Sequence, residues 1–198
     1  MKNCCVIGLG YIGLPTAVIL AKTGHQVIGV DIDLEKIELL KKGIVYIKEP
    51  DLKDIFDEVI TTKKLKLSNK PSKADIFIIA VPTPFYEDNS IIPKPNMEYL
   101  YSAINSIAKI LEPGNLVIIE STCPVGTTVS VGEMIFKETN YNKEQIEISY
   151  CPERVLPGKI LKELVSNDRV IGGLTHKASE TSRDFYETFC KGKIHTTD

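Results

Sequence analysis

Residues 4–13 read Cys4-Cys5-Val6-Ile7-Gly8-Leu9-Gly10-Tyr11-Ile12-Gly13. The apolar run ends in glycine, as a buried parallel strand does. Cys4 and Cys5 read there as small core residues. From Tyr11 to about Lys22 the apolar spacing turns helical, and Gly24 supplies the stop. Three glycines at GxGxxG spacing thus join a strand to a helix. Gly8 permits the tight turn, Gly10 lets the backbone approach a pyrophosphate, and Gly13 lets the helix pack close to the strand. A pyrophosphate placed there meets free N–H groups and the positive end of a helix dipole.

Working outward, Gln26 to Val30 (QVIGV) reads as a second strand, and Asp31 ends it eighteen residues after Gly13. An acidic side chain at that point accepts hydrogen bonds from an adenosine ribose and repels a 2′-phosphate. NAD is therefore expected over NADP. Asp33 competes for the role but is better placed to cap the helix that Leu34, Ile37 and Leu40 mark out, ending near Gly43. Lys36, one turn into that helix, reaches a ribose or phosphate on one reading and is a solvated surface lysine on the other.

The rest of the chain repeats the alternation. A short helix is expected after Pro50, a short strand near Leu65-Leu67, and a strand from Ile76 to Val81. Segment 82–95, with prolines at 82, 84, 93 and 95, reads as an ordered loop. Asn96 caps a helix to about Leu111. Leu116 to Ile119 is a strand, about Thr127 to Glu138 a helix, Ile146 to Ser149 a strand and Val170-Ile171 another. His176 to Phe189 is a helix, and Lys193 to Thr196 a last strand. This spacing predicts an α/β fold: a Rossmann-type, doubly wound, mainly parallel sheet with helices on both faces.

Composition limits the function classes. Lys plus Arg number 24 against 26 Asp plus Glu, a net charge of -2, so no basic excess points to nucleic acid. No stretch reaches the roughly 18 apolar residues of a membrane span. The first residues run straight into a strand and match no signal peptide. Five cysteines at unrelated spacings form neither a disulfide framework nor a zinc pattern, and a reducing cytoplasm is the expected compartment.

Ligands of open α/β sheets bind beyond the carboxyl ends of the strands. Three loops carry chemistry at that edge. Val81-Pro82-Thr83-Pro84 fixes a hydroxyl near a nicotinamide ribose. The run from Glu120 through Ser121, Thr122 and Cys123 to Thr128 puts hydroxyls at a helix start. Ordinary capping and turn formation explain both equally well. The third, Tyr150-Cys151-Pro152-Glu153-Arg154-Val155-Leu156-Pro157-Gly158, sets an acid beside a base, where a surface ion pair is the plainer reading. Cys123 and Cys151 sit in such loops, but no histidine lies near in sequence to serve as a base, so neither is expected to be a nucleophile.

Six segments occur in order: Gly8 to Pro15, Val30 to Asp33, Val81 to Pro84, Ser121 to Thr127, Cys151 to Gly158, and Asn167-Asp168-Arg169-Val170-Ile171-Gly172-Gly173. They resemble the N-terminal domain of the UDP-glucose/GDP-mannose dehydrogenase family over nearly the whole chain. Where UDP-glucose enzymes usually read Asn-Pro-Glu-Phe-Leu-x-Glu-Gly, Arg154 stands for the Phe and Pro157 for the second Glu. The departures disfavour UDP-glucose and suit an N-acetylhexosamine nucleotide, and the resemblance implies UDP-N-acetyl-D-mannosamine as substrate. The resemblance further implies oxidation of the sugar C6 alcohol to a uronate through an aldehyde and a cysteine thioester, with two NAD accepting the two hydrides. By position, Tyr11, Ile12, Asp31, Lys36, Thr83 and Thr122 would contact NAD, Lys36 replacing the more usual arginine. Glu153, Arg154 and Val155 would lie at the substrate, and Glu153 and Thr122 would handle the proton or the hydrolytic water.

In that family the nucleophilic cysteine and the lysine that assists the alcohol follow the matched region, as do a central helix and a UDP-binding domain. The resemblance therefore implies that residues 1–198 are an NAD-binding domain, incomplete for the reaction alone, with oligomer contacts in the C-terminal part. The alternatives are a non-catalytic NAD-binding module, a dehydrogenase for another UDP-N-acetylhexosamine or for UDP-glucose, or another Rossmann dehydrogenase.

Overall fold

The computed structural model describes residues 1–86 and 92–197. Residues 87–91, part of the expected ordered loop 82–95, lie outside the described residues. The elements in order are β1 (Asn3–Ile7), α1 (Gly13–Lys22), β2 (Gln26–Val30), α2 (Leu34–Lys41), α3 (Leu52–Thr61), β3 (Leu65–Ser68), β4 (Ile76–Ile79), α4 (Glu98–Ala108), β5 (Leu116–Ile119), α5 (Thr127–Thr139), β6 (Glu147–Tyr150), α6 (Ile160–Ser166), β7 (Arg169–Gly173), α7 (His176–Tyr186) and β8 (Ile194–Thr197).

One sheet carries the strands in the order β3-β2-β1-β4-β5-β6-β7-β8. Neighbours are parallel except β6 and β7. The apolar runs are continuous because both faces of the sheet are covered. Successive residues of β1 serve different cores: Cys4 and Val6 pack with α1, α3, α6 and α7, while Cys5 and Ile7 pack with α4 and α5. Ile76 and Ile78 face the first core, Phe77 and Ile79 the second. Helix α1 is apolar around its circumference and buried from Gly13 through Ala21. That pattern suits a helix enclosed by the sheet, α3 and α6 rather than one facing water.

Beyond shifts of a few residues at element ends, three details stand out. Helix α1 starts at Gly13, because residues 10–12 are spent on the turn. Helix α6 was not expected, although Ile160, Leu161, Leu164 and Val165 fall at helical spacing and pack against the first core. The β6–β7 pair is antiparallel.

Strand order reverses between β1 and β4, so the crevice beyond their carboxyl ends is a topological switch point. The described residues of loop 82–95 rise there. Its described arms pair through Tyr86 N–H donating to the Lys94 carbonyl (2.9 Å) and Asn96 N–H to that of Pro84 (2.6 Å). The Asn96 side chain accepts from Glu98 N–H at 2.9 Å, while Met97, rather than the expected Asn96, occupies the cap position of α4. Among the described residues no helix is long and apolar enough to cross a membrane. No cluster of His, Cys, Asp and Glu suited to a metal occurs among them.

Candidate functional site

The turn after β1 is held by its neighbours. Gly8 has φ +93°, and a Cβ on it would meet the Ala80 carbonyl oxygen at 2.5 Å. A Cβ on Gly13 would lie 1.8 Å from the Gly8 oxygen. Both glycines are therefore required by the bare fold. Gly10 is different: nothing lies within 4 Å of its Cβ position. The space there is open toward the cleft.

Asp31 is buried at the end of β2 and ties the turn down. Its Oδ2 accepts from Leu9 N–H at 2.9 Å and its Oδ1 from Asp33 N–H at 3.0 Å. The Tyr46 hydroxyl donates to the Leu9 carbonyl at 2.5 Å. Each carboxylate oxygen keeps a lone pair for a further donor. Asp33 caps α2 through Glu35 and Lys36 N–H, as the sequence indicated. The N–H groups of Gly10, Tyr11, Ile12 and Gly13 have no acceptor among the described residues, and α1 has no side-chain cap. Unpaired N–H groups at a helix start are what an anion needs.

A cavity of about 570 Å³ opens over this turn. Gly8, Gly10, Asp31, Asp33 and Lys36 line one side, with Val81, Pro82 and Pro84 across from them. Tyr99, Ser102, Ala103 and Ser106 of α4 and Asn69-Lys70-Pro71 after β3 complete it. The Lys36 ammonium lies 3.8 Å from Asp33 and half-exposed, free to turn into the cleft. A nucleotide-sized, mostly apolar cavity with unpaired amides and one buried carboxylate fits NAD. Sequence reasoning missed the α4 and 69–71 walls. Their residues carry no motif and meet the turn only through the sheet order.

Tyr11 and Ile12 sit on the turn itself, Tyr11 half-exposed. Thr83 and Thr122 are brought together: the Thr83 hydroxyl donates to the Thr122 carbonyl at 2.7 Å. Ser121 donates to the Val81 carbonyl (2.8 Å) and accepts its N–H (2.9 Å), which ties the loops after β4 and β5 together, though of these residues only Val81 lines the cavity.

The loop after β6 lies apart from that cavity. Glu153 and Arg154 do not form the surface pair that their adjacency suggested. Arg154 is exposed and donates to the Asp168 carbonyl at 2.9 Å, while its own carbonyl accepts from the Asn167 side chain. Glu153 turns inward to Arg169, 2.9 Å away, with side-chain exposures of 4% and 3% respectively. Its other oxygen accepts from Arg154 N–H at 2.9 Å. Val155 is half-buried against the α6 side of the core.

Behind Glu153 is a charged cluster that sequence reasoning did not assemble. Glu120, at the end of β5, is fully buried and accepts from the Tyr186 hydroxyl at 2.7 Å and from Thr16 at 3.3 Å. Burial, and then the negative charge of Glu153, push its carboxyl up to about 7. Arg169 also donates to the Leu164 carbonyl (3.0 Å) and stacks over Tyr186, 4.5 Å from the ring centre. The only sequence signals were a glutamate directly after an apolar strand and an arginine opening another. Cys151 lies beside Arg169, buried, with burial raising its thiol to about 11. Burial also raises that of Cys123. Neither has the lowered pKa of an activated thiol.

A family model for the UDP-glucose/GDP-mannose dehydrogenase family, NAD binding domain, matches residues 2–190. The chain belongs to this family. As its NAD-binding domain, it carries the turn, acidic strand end and cleft described above. The UDP-N-acetyl-D-mannosamine dehydrogenase of Methanocaldococcus jannaschii is 51% identical over 197 residues, covering all of this chain and 45% of that protein. An NDP-N-acetyl-D-galactosaminuronic acid dehydrogenase of Ralstonia nicotianae is 41% identical, covering all of this chain and 48% of its own. The solved UDP-D-ManNAc dehydrogenase of Pyrococcus horikoshii superposes with a TM-score of 0.94 at 39% identity, over 99% of this chain and 47% of that one. The chain thus spans about half the length of these relatives.

Proposed function

We propose that this chain holds NAD for the oxidation of UDP-N-acetyl-D-mannosamine at C6 to the uronate. The observation that carries the cofactor half is the open space at Gly10 beside four unpaired N–H groups, with Asp31 at the ribose end of the same cleft. When bound, NAD supplies the hydride acceptor. Gly10, Tyr11, Ile12 and Gly13 present N–H groups to the pyrophosphate, Asp31 accepts from ribose hydroxyls, and Lys36 adds a positive charge at the rim. In this reading Thr83 and Thr122, joined by their 2.7 Å hydrogen bond, contact NAD from the loops after β4 and β5. The substrate half rests on the 51% identity to an enzyme of that name and on Arg154 and Pro157 in the third loop. In this reading Glu153, Arg154 and Val155 face the sugar side, and Glu153 and Thr122 handle a proton or water.

Calorimetry with NAD and NADP tests the first half: NAD binding with clear preference over NADP is expected, and no binding refutes it. NADH formation with UDP-N-acetyl-D-mannosamine tests the second. It is measured on residues 1–198 alone and with the C-terminal half of the Methanocaldococcus relative added. Turnover is expected only in the mixture, and faster turnover with UDP-glucose overturns the substrate assignment. A second reading, another NDP-N-acetylhexosamine, is favoured by the 41% identity to the Ralstonia enzyme and is scored in the same assay.

A further inference from the structure

The cluster behind the third loop contains more acid than its cation can balance. Glu153 and Glu120 both point their carboxyl groups into the interior, and the loop joins them directly, Glu153 N–H meeting the Glu120 carbonyl at 3.4 Å. Among the described residues the titratable and charged groups facing Glu120 are Glu153 and Cys151 from this loop, Arg169 from β7 and Tyr186 from α7. Helix α1 contributes only the Thr16 hydroxyl. Arg169 is the single cation. Its guanidinium contacts Glu153 at 2.9 Å, and its remaining bonds go to the Leu164 carbonyl and the Cys151 sulfur. A guanidinium is always charged, and a second buried carboxylate without its own cation is costly to ionise. Among the described residues the Glu120 carboxyl is hydrogen-bonded only by two neutral hydroxyls.

We propose that Arg169 and Glu120 are positioning residues for Glu153: the guanidinium pairs with the Glu153 carboxylate and fixes its direction, while Glu120 retains a proton so that the pair shares one cation. The two acids therefore differ in charge although they share a cavity. The arrangement rests on the reading of Glu153 as a sugar-side residue only for its use. The division of charge stands without it. Losing Arg169 would leave the buried Glu153 carboxylate without a cation and release it from its direction. Tyr186 tunes the balance, because its hydroxyl bond favours the ionised form of Glu120.

The test is a ¹³C-carboxyl titration of glutamate-labelled protein between pH 4 and 9, with Glu120→Gln, Glu153→Gln and Tyr186→Phe variants. One glutamate signal of the parent should titrate near neutrality. It should vanish in Glu120→Gln. It should move at least one pH unit lower in Glu153→Gln, where the neighbouring negative charge is gone. It should move higher in Tyr186→Phe, which keeps the ring and loses one donor. Every glutamate titrating below pH 5.5 would overturn the proposal. So would a neutral titration that disappears with Glu153 and survives Glu120→Gln, or one that Tyr186→Phe leaves unmoved. Should Glu120→Gln not fold, the other two shifts still decide. Parent protein that fails to bind NAD while showing this titration would refute the proposed function and leave the charge division standing.

Discussion

Replacing Gly10 by alanine separates fold from function at one methyl group. Nothing lies within 4 Å of the added Cβ, and Gly10 does not need a left-handed backbone. The folded chain therefore accepts the methyl without strain. The unfolded chain loses backbone freedom, which stabilises such variants by about 0.4–1 kcal/mol. For a domain of this size that is a rise of roughly 1–4 °C in melting temperature. The bound pyrophosphate, however, has to occupy the space the methyl takes. Overpacking of a close contact costs about 1–3 kcal/mol, which weakens NAD about 5- to 150-fold. Thermal melting without cofactor and calorimetry with NAD measure the two effects. Equal NAD affinity in variant and parent would refute the reasoning, since the backbone would then not approach the cofactor at Gly10. A large fall in melting temperature would also refute it, because the free space would not be free.

Gly13→Ala should behave oppositely: with Gly8 oxygen 1.8 Å from the new Cβ, the backbone must shift, and urea unfolding should register a loss on the order of 3 kcal/mol or more before any cofactor is added. Asp31→Ala removes two hydrogen bonds to backbone N–H groups, so a stability loss of about 2–3 kcal/mol should accompany weaker NAD binding and poorer discrimination against NADP by calorimetry. Glu120 has a folded-state pKa raised above its unfolded value, so its contribution to stability is fully present below about pH 4.5 and is lost as the pH rises to about 7. Urea unfolding of Glu120→Gln against parent should accordingly favour the variant progressively between pH 5 and 8, by a few kcal/mol at most, and a pH-independent difference would contradict the assignment. Thiol labelling should modify Cys123 first, with Cys4, Cys5 and Cys151 reacting only on unfolding, since burial shields all three and raises their thiols to about 11–12.

The sequence by itself determined the frame. Cys4 to Gly13, the strand QVIGV and Asp31 are local instructions, because a turn conformation, a strand period and a helix cap depend on neighbours a few residues away. The alternation of apolar strands and helices likewise fixed the fold class. Each of the named loops was also readable as a strand end. What only the tertiary structure decided is who meets whom across the sheet. Glu153 was read against Arg154, its neighbour in sequence, yet its partner is Arg169, sixteen residues on at the far side of α6. Glu120 was a loop residue without a role until α1 and α7 closed over it with Thr16 and Tyr186. The physical reason is that the energy of a buried charge depends on its distance to other charges and to water. Those distances are set by strand order and helix packing, which no window along the chain contains. The glycine turn is legible because its constraint is local, and the charged cluster is hidden because its constraint is not.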